Sequence, residues 1–137
     1  MNAAHRQTWA SAALLFGVAY FLIGRLSTLP ADNVRVWRLA AWLASGVVYA
    51  AHIGYEHFRM RNSPRPMALH VALAVAIGAI GLAIAGMIHS LSTASAIRPA
   101  WLLALVIWPA VTAIPAFLGA LAAGAVLARH LPTAPAD

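Results

Sequence analysis

From Pro99 to Ala128 the chain carries no ionisable side chain, and three further runs are nearly as apolar. Thr8 to Gly24 holds none, Leu39 to Tyr55 holds His52 alone, and Met67 to Leu91 holds His70 and His89. Crossing about 30 Å of hydrocarbon takes roughly 20 mainly apolar residues at about 1.5 Å each. Backbone polar groups in lipid must satisfy one another within the segment, which makes each run a helix. The expected fold is all-α: a polytopic integral membrane protein, a four-transmembrane-helix bundle with short loops. Residues 1–137 form one membrane domain, with helices at about 8–25, 37–58, 67–91 and 99–128.

Composition points the same way. The chain is 63% hydrophobic and 9% charged, with a mean hydropathy of +0.81, too little polar surface to coat a soluble globule of this size. All nine cationic residues are Arg, and Asp32, Glu56 and Asp137 are the only acids. The arginines fall between the apolar runs instead of gathering on one face, which argues against nucleic acid as a partner and for the lipid bilayer. No cysteine is present, so disulfides, thiolate nucleophiles and Cys-ligated metals are excluded. The segment after the first run, Arg25 to Asp32, lacks a small-x-small cleavage pattern, so that run reads as a mature helix and not a signal peptide.

An even number of spans puts both termini on one side. That side carries Arg6, Arg59, Arg61, Arg65 and Arg129, against Arg25, Arg35, Arg38 and Arg98 on the other. The excess of one favours cytoplasmic termini, in a bacterial inner membrane. Trp9, Tyr55 and Phe58 fall at the terminal face, and Trp37 and Trp101 at the opposite face, as interfacial aromatics do.

Helices in lipid associate through close backbone approach at small residues. Ala74, Gly78, Gly81 and Ala85 form one such stripe on helix three, and Ala116, Ala120, Gly124 and Ala128 form another on helix four. Pro109 and Pro115 each remove an amide donor from helix four and are expected to bend it.

The chemistry-bearing pattern lies on helix two. Arg38, Ser45, Tyr49, His52, Glu56 and Arg59 recur at helical spacing along one face, with Trp42 beside them, while Ala40, Leu43, Val47, Ala50, Gly54 and Phe58 are apolar. A charge facing lipid at the bilayer centre costs roughly 2.5–3.5 kcal/mol, so the stripe is expected to face the bundle interior. Three readings of it are open. It is a structural network in which Glu56 pairs with Arg59, or a proton conduit through His52 and Glu56, or a metal or haem site. In the last, His52, Glu56 and His70 hold a divalent metal, or His52 and His70 ligate haem b axially, since both lie near the short second loop at similar depth. His89 belongs to the other face, and His5 and His130 to the tails.

No nucleophile–base–acid arrangement, phosphate loop or zinc-protease signature is present. An enzyme is therefore unsupported, and no cofactor is demanded. The expected role is that of a non-enzymatic accessory or assembly component in a homo-oligomer or larger membrane complex. The alternatives are a proton-coupled small transporter using the helix-two stripe and a haem- or metal-binding protein.

Overall fold

In the computed structural model the described residues, 3–28, 32–94 and 99–130, form an all-α bundle of four helices. They are α1 (Ala3–Leu26), α2 (Val34–Gly54), α3 (Pro64–Ala94) and α4 (Pro99–His130). A π-helical segment, Tyr55–Arg59, continues α2 without a break. All four helices are long and apolar enough to cross a membrane. Side chains are described from Thr8 in α1 and as far as Thr93 in α3; those of His5, Arg6, Arg98 and Asp137 lie outside the described residues.

Each helix outruns the apolar stretch inside it. The 31 residues of α3 and 32 of α4 make rods of about 46–48 Å at about 1.5 Å per residue, so their polar ends at Arg65, Thr93 and Arg129 pass beyond the apolar stretch. Intrahelical hydrogen bonding does not stop where apolarity does; it stops where the chain punctuates. Pro64 and Pro99 open α3 and α4 at positions whose amide would be unpaired in any case. Asn33, in the left-handed region at φ 55°, turns the chain into α2. The helix α4 runs through both of its prolines, and between them the Thr112 hydroxyl donates to the carbonyls of Trp108 (2.9 Å) and Pro109 (3.1 Å).

The helix α3 is the centre of the bundle, packed mainly between α1 and α4. Its small residues seat α1 closely: a Cβ on Gly78 would lie 2.7 Å from Tyr20 Cβ and 3.0 Å from the Gly17 carbonyl oxygen. Ala74 beside it is fully buried, and Gly81 packs against the Phe21 ring. On the other flank, Ala120 and Gly124 of α4 are buried, and Gly124 admits Met67 and Pro64. Ile53, Met67, Ala68, Val71 and Ala120 close a core where the end of α2, the start of α3 and the last third of α4 meet.

The helix α2 departs from the expected arrangement. Its second half docks, with His52 and Ile53 buried, and the Tyr49 hydroxyl donates to the Ala116 carbonyl of α4 at 2.6 Å. Gly119 leaves room for that hydroxyl, since a Cβ there would lie 2.8 Å from it. The first half stands away from the bundle: Arg38 is exposed, Trp42 is 80% exposed, and Ser45 is only half-buried. The stripe therefore faces the interior only from Tyr49 onward. Bulky Trp37 and Trp42 and the charges of Arg35 and Arg38 offer α3 no small-residue surface to approach.

Candidate functional site

The second loop and the π segment build the site. A π turn adds one residue to the helical repeat, and such insertions gather at functional positions. Here it falls on the carboxylate itself: Met60 N–H donates to the Tyr55 carbonyl (3.2 Å), and Asn62 N–H returns to the Glu56 carbonyl (3.1 Å). Arg61, at φ 51°, makes the turn between them. The consequence is that Asn62, six residues after Glu56, folds back over it.

Glu56 is fully buried and sits among three partners. Its Oε2 accepts from the Asn62 amide at 2.5 Å and meets His70 Nδ1 at 2.9 Å. Its Oε1 lies 3.7 Å from His52 Nε2, beyond hydrogen-bond length. His52 is also fully buried, whereas the His70 side chain is 18% exposed. The cluster thus has one open edge, at His70.

Two aromatic rings of α1 cover the imidazoles. Phe16 stacks on His52 with centroids 4.0 Å apart and planes within 9°, and Trp9 stacks on His70 at 4.7 Å and 5°. These two residues are seven apart, two turns on one face of α1. His57 is buried as well and meets the Phe58 ring edge-on at 4.8 Å.

Both nitrogens of His52 and Oε1 of Glu56 are buried without a hydrogen-bond partner; Trp9 Nε1 and Tyr20 Oη share that state on α1. An unpaired polar group in a dry interior is costly, so this cluster is where one asks what completes it.

The placement of the expected residues is mixed. His52, Glu56 and His70 do come together at one depth. Arg59 does not join them; it is exposed, and the acid turns to His52, His70 and Asn62 instead. The reason is geometric, because Glu56 lies one turn after buried His52 and faces inward with it, while Arg59 leaves at the helix end. The two imidazoles are linked through a carboxylate and are not opposed across a ring-sized gap as axial haem ligands are. Among the described residues no three His, Asp or Glu side chains converge at metal-ligand spacing. His89 and His130 are exposed and lie away from the cluster.

Asn62, Phe16 and Trp9 are the residues of the candidate site that the helix-two pattern did not reveal. A signal existed for the last two, aromatic residues at i and i+7 on a helix one loop away. None existed for Asn62, whose role depends on the π turn. No protein family, characterised protein or solved structure matches this chain, so its function has to be read from this geometry.

Proposed function

We propose that the chain is a multi-pass integral membrane protein, in a bacterial inner membrane with both termini cytoplasmic, that binds and releases a proton at the His52–Glu56–His70 cluster. Its class is a proton-coupled small transporter acting without covalent chemistry.

The observation that carries this reading is the gap between His52 Nε2 and Glu56 Oε1, 3.7 Å wide, with both atoms buried and unpartnered. With Nε2 unprotonated, the imidazole and the carboxylate set two acceptors face to face. A proton on either atom, added from outside or moved from Nδ1, turns the pair into donor and acceptor, and closing by about 1 Å gives a normal charge-assisted bond. In a low-dielectric interior that conversion changes the packing preference of α1 and α2, through the Phe16 ring stacked on His52. His70, hydrogen-bonded to the same carboxylate and partly exposed, is the exit for the proton.

The test is proton flux. Purified protein reconstituted in liposomes holding a pH-sensitive dye is expected to move protons in step with solute uptake when a panel of small solutes is offered outside. The Glu56→Gln variant should stop the flux while keeping its helical circular dichroism. Equal flux in that variant removes Glu56 from the mechanism. Resistance to alkaline carbonate extraction tests the membrane assignment separately.

A second reading, an accessory or assembly component in a homo-oligomer or larger complex, draws on the outlying half of α2. Arg38 and Trp42 there lack an intramolecular cover, and in lipid a partner helix would supply one. A single monomeric species on cross-linking in native membranes would count against it.

A further inference from the structure

Beside His70 the surface of α3 opens into a groove of about 790 Å³, within the range of small-molecule sites, which meets the proton cluster at His70 and its cover Trp9 and extends beyond it. Its lining is graded by depth. Ser63, Arg65 and His70 line one end, while Leu73, Ala76 and Ala113 line the other. Arg65 and Ala76 are eleven residues apart on one unbroken helix, which is about 16 Å of rise. The helix α4 gives the same depth: Gly124 packs on Pro64 at the polar end, and Ala113 lies eleven residues back. That length is about half of the ~30 Å hydrocarbon core, the thickness of one leaflet.

The polar end is also cationic. Arg59 and Arg65 flank the second loop, and Arg129 lies in the last turn of the adjacent α4. Among the described residues the acid at this end is Glu56, buried and turned toward His70 and Asn62. A ligand matched to this groove has a negative head at the membrane face and one apolar tail reaching to mid-bilayer. Groove length, polarity gradient and charge agree on that form.

We propose that the groove holds one anionic phospholipid. Its phosphate sits at Arg65 and Ser63, and one acyl chain lies along Leu73, Ala76 and Ala113. The bound headgroup borders His70, the open edge of the proton cluster, and so lies on the proton's way out. The inference rests on the membrane assignment, which carbonate extraction tests by itself, and not on proton flux.

The experiment is native mass spectrometry of the protein purified in mild detergent, stripped of lipid and titrated with phosphatidylglycerol or phosphatidylcholine of equal chain length. One phosphatidylglycerol should be retained with at least ten-fold preference. Arg65→Gln, at an exposed position that leaves the fold intact, should lower that preference at least three-fold. Ala76→Leu, which fills the inner end, should weaken retention of both lipids. Millimolar inorganic phosphate should not displace the bound lipid, since the tail holds it. Equal retention of the two lipids, unchanged preference in Arg65→Gln, or displacement by free phosphate would each overturn the proposal.

Discussion

Replacing Glu56 tests the geometry of the cluster directly, and two substitutions should separate. In Glu56→Leu, the His70 and Asn62 donors that now end on Oε2 lose their acceptor. A buried donor left unpaired costs about 1–3 kcal/mol, and both of these are only part-buried, so the sum is about 2–3 kcal/mol. The His70 share belongs at the low end, because its 18% exposure gives water access to that ring. In Glu56→Gln a carbonyl oxygen keeps the place of Oε2, and the new amide can donate to His52 Nε2 across the former gap. Only charge assistance is lost there, about 1–3 kcal/mol over two bonds. The assay is unfolding in mixed micelles at rising dodecyl sulfate, followed by circular dichroism. Adding His70→Phe to Glu56→Leu removes one stranded donor and keeps a ring against Trp9. The double variant should then recover part of the loss, with a coupling of about 1–3 kcal/mol. Additivity within about 0.5 kcal/mol, or a Leu variant no weaker than the Gln variant, would refute the claim that Glu56 anchors these donors.

Other perturbations have equally definite outcomes. Gly78→Ala should destabilise by about 1–3 kcal/mol, because its methyl would press on Tyr20 Cβ and the Gly17 carbonyl, whereas Gly46→Ala, with open space around it, should be neutral or stabilise by up to about 1 kcal/mol in the same unfolding assay. Tyr49→Phe should cost about 0.5–1.5 kcal/mol for the lost bond to Ala116, and Gly119→Ala should cost at least as much by crowding that hydroxyl; equal stability of both with the parent would dismiss the α2–α4 link. Phe16→Ala should uncover His52 and raise its diethylpyrocarbonate labelling several-fold by peptide mass spectrometry; an unchanged rate would mean the ring is no cover. Reporters fused to the two ends should lie on one side, and one inserted after Thr93 on the other; ends on opposite sides would mean that a span is misassigned.

The long-range order of the molecule could be read from hydropathy because lipid leaves the backbone few options. Four uncharged runs become four helices, and His52 and His70, near the same short loop, come to equal depth. The inner face of α2 could be read only in part. Helical spacing placed Arg38 and Glu56 on one stripe, but whether neighbours cover a stripe depends on where they have room to approach, and α3 has its small residues where α1 docks. Asn62, the one partner of Glu56 not foreseen, was hidden for a different reason. A single inserted residue in the turn at Tyr55–Arg59 leaves the acid one helical turn from His52 and brings Asn62 back over it, and no periodicity in Tyr55-Glu56-His57-Phe58-Arg59 announces that insertion. The aromatic covers come from α1, whose Trp9 stands at an interfacial position in the sequence and lays its ring flat against His70 in the fold.

The tie between Glu56 and His70 also imposes an order on biosynthesis. When α2 leaves the ribosome, the carboxylate near its end has no acceptor-hungry partner yet, because His70 belongs to a helix still being made. An unpaired acid disfavours lateral release from the translocon, so α2 should wait in the channel and enter the bilayer together with α3 as a hairpin. A nascent chain truncated after Asn62 should then integrate α2 less completely than one extended to Ala94, and glycosylation-site mapping in microsomes reads the difference. Equal integration of the two chains would mean that α2 enters the bilayer without the help of α3.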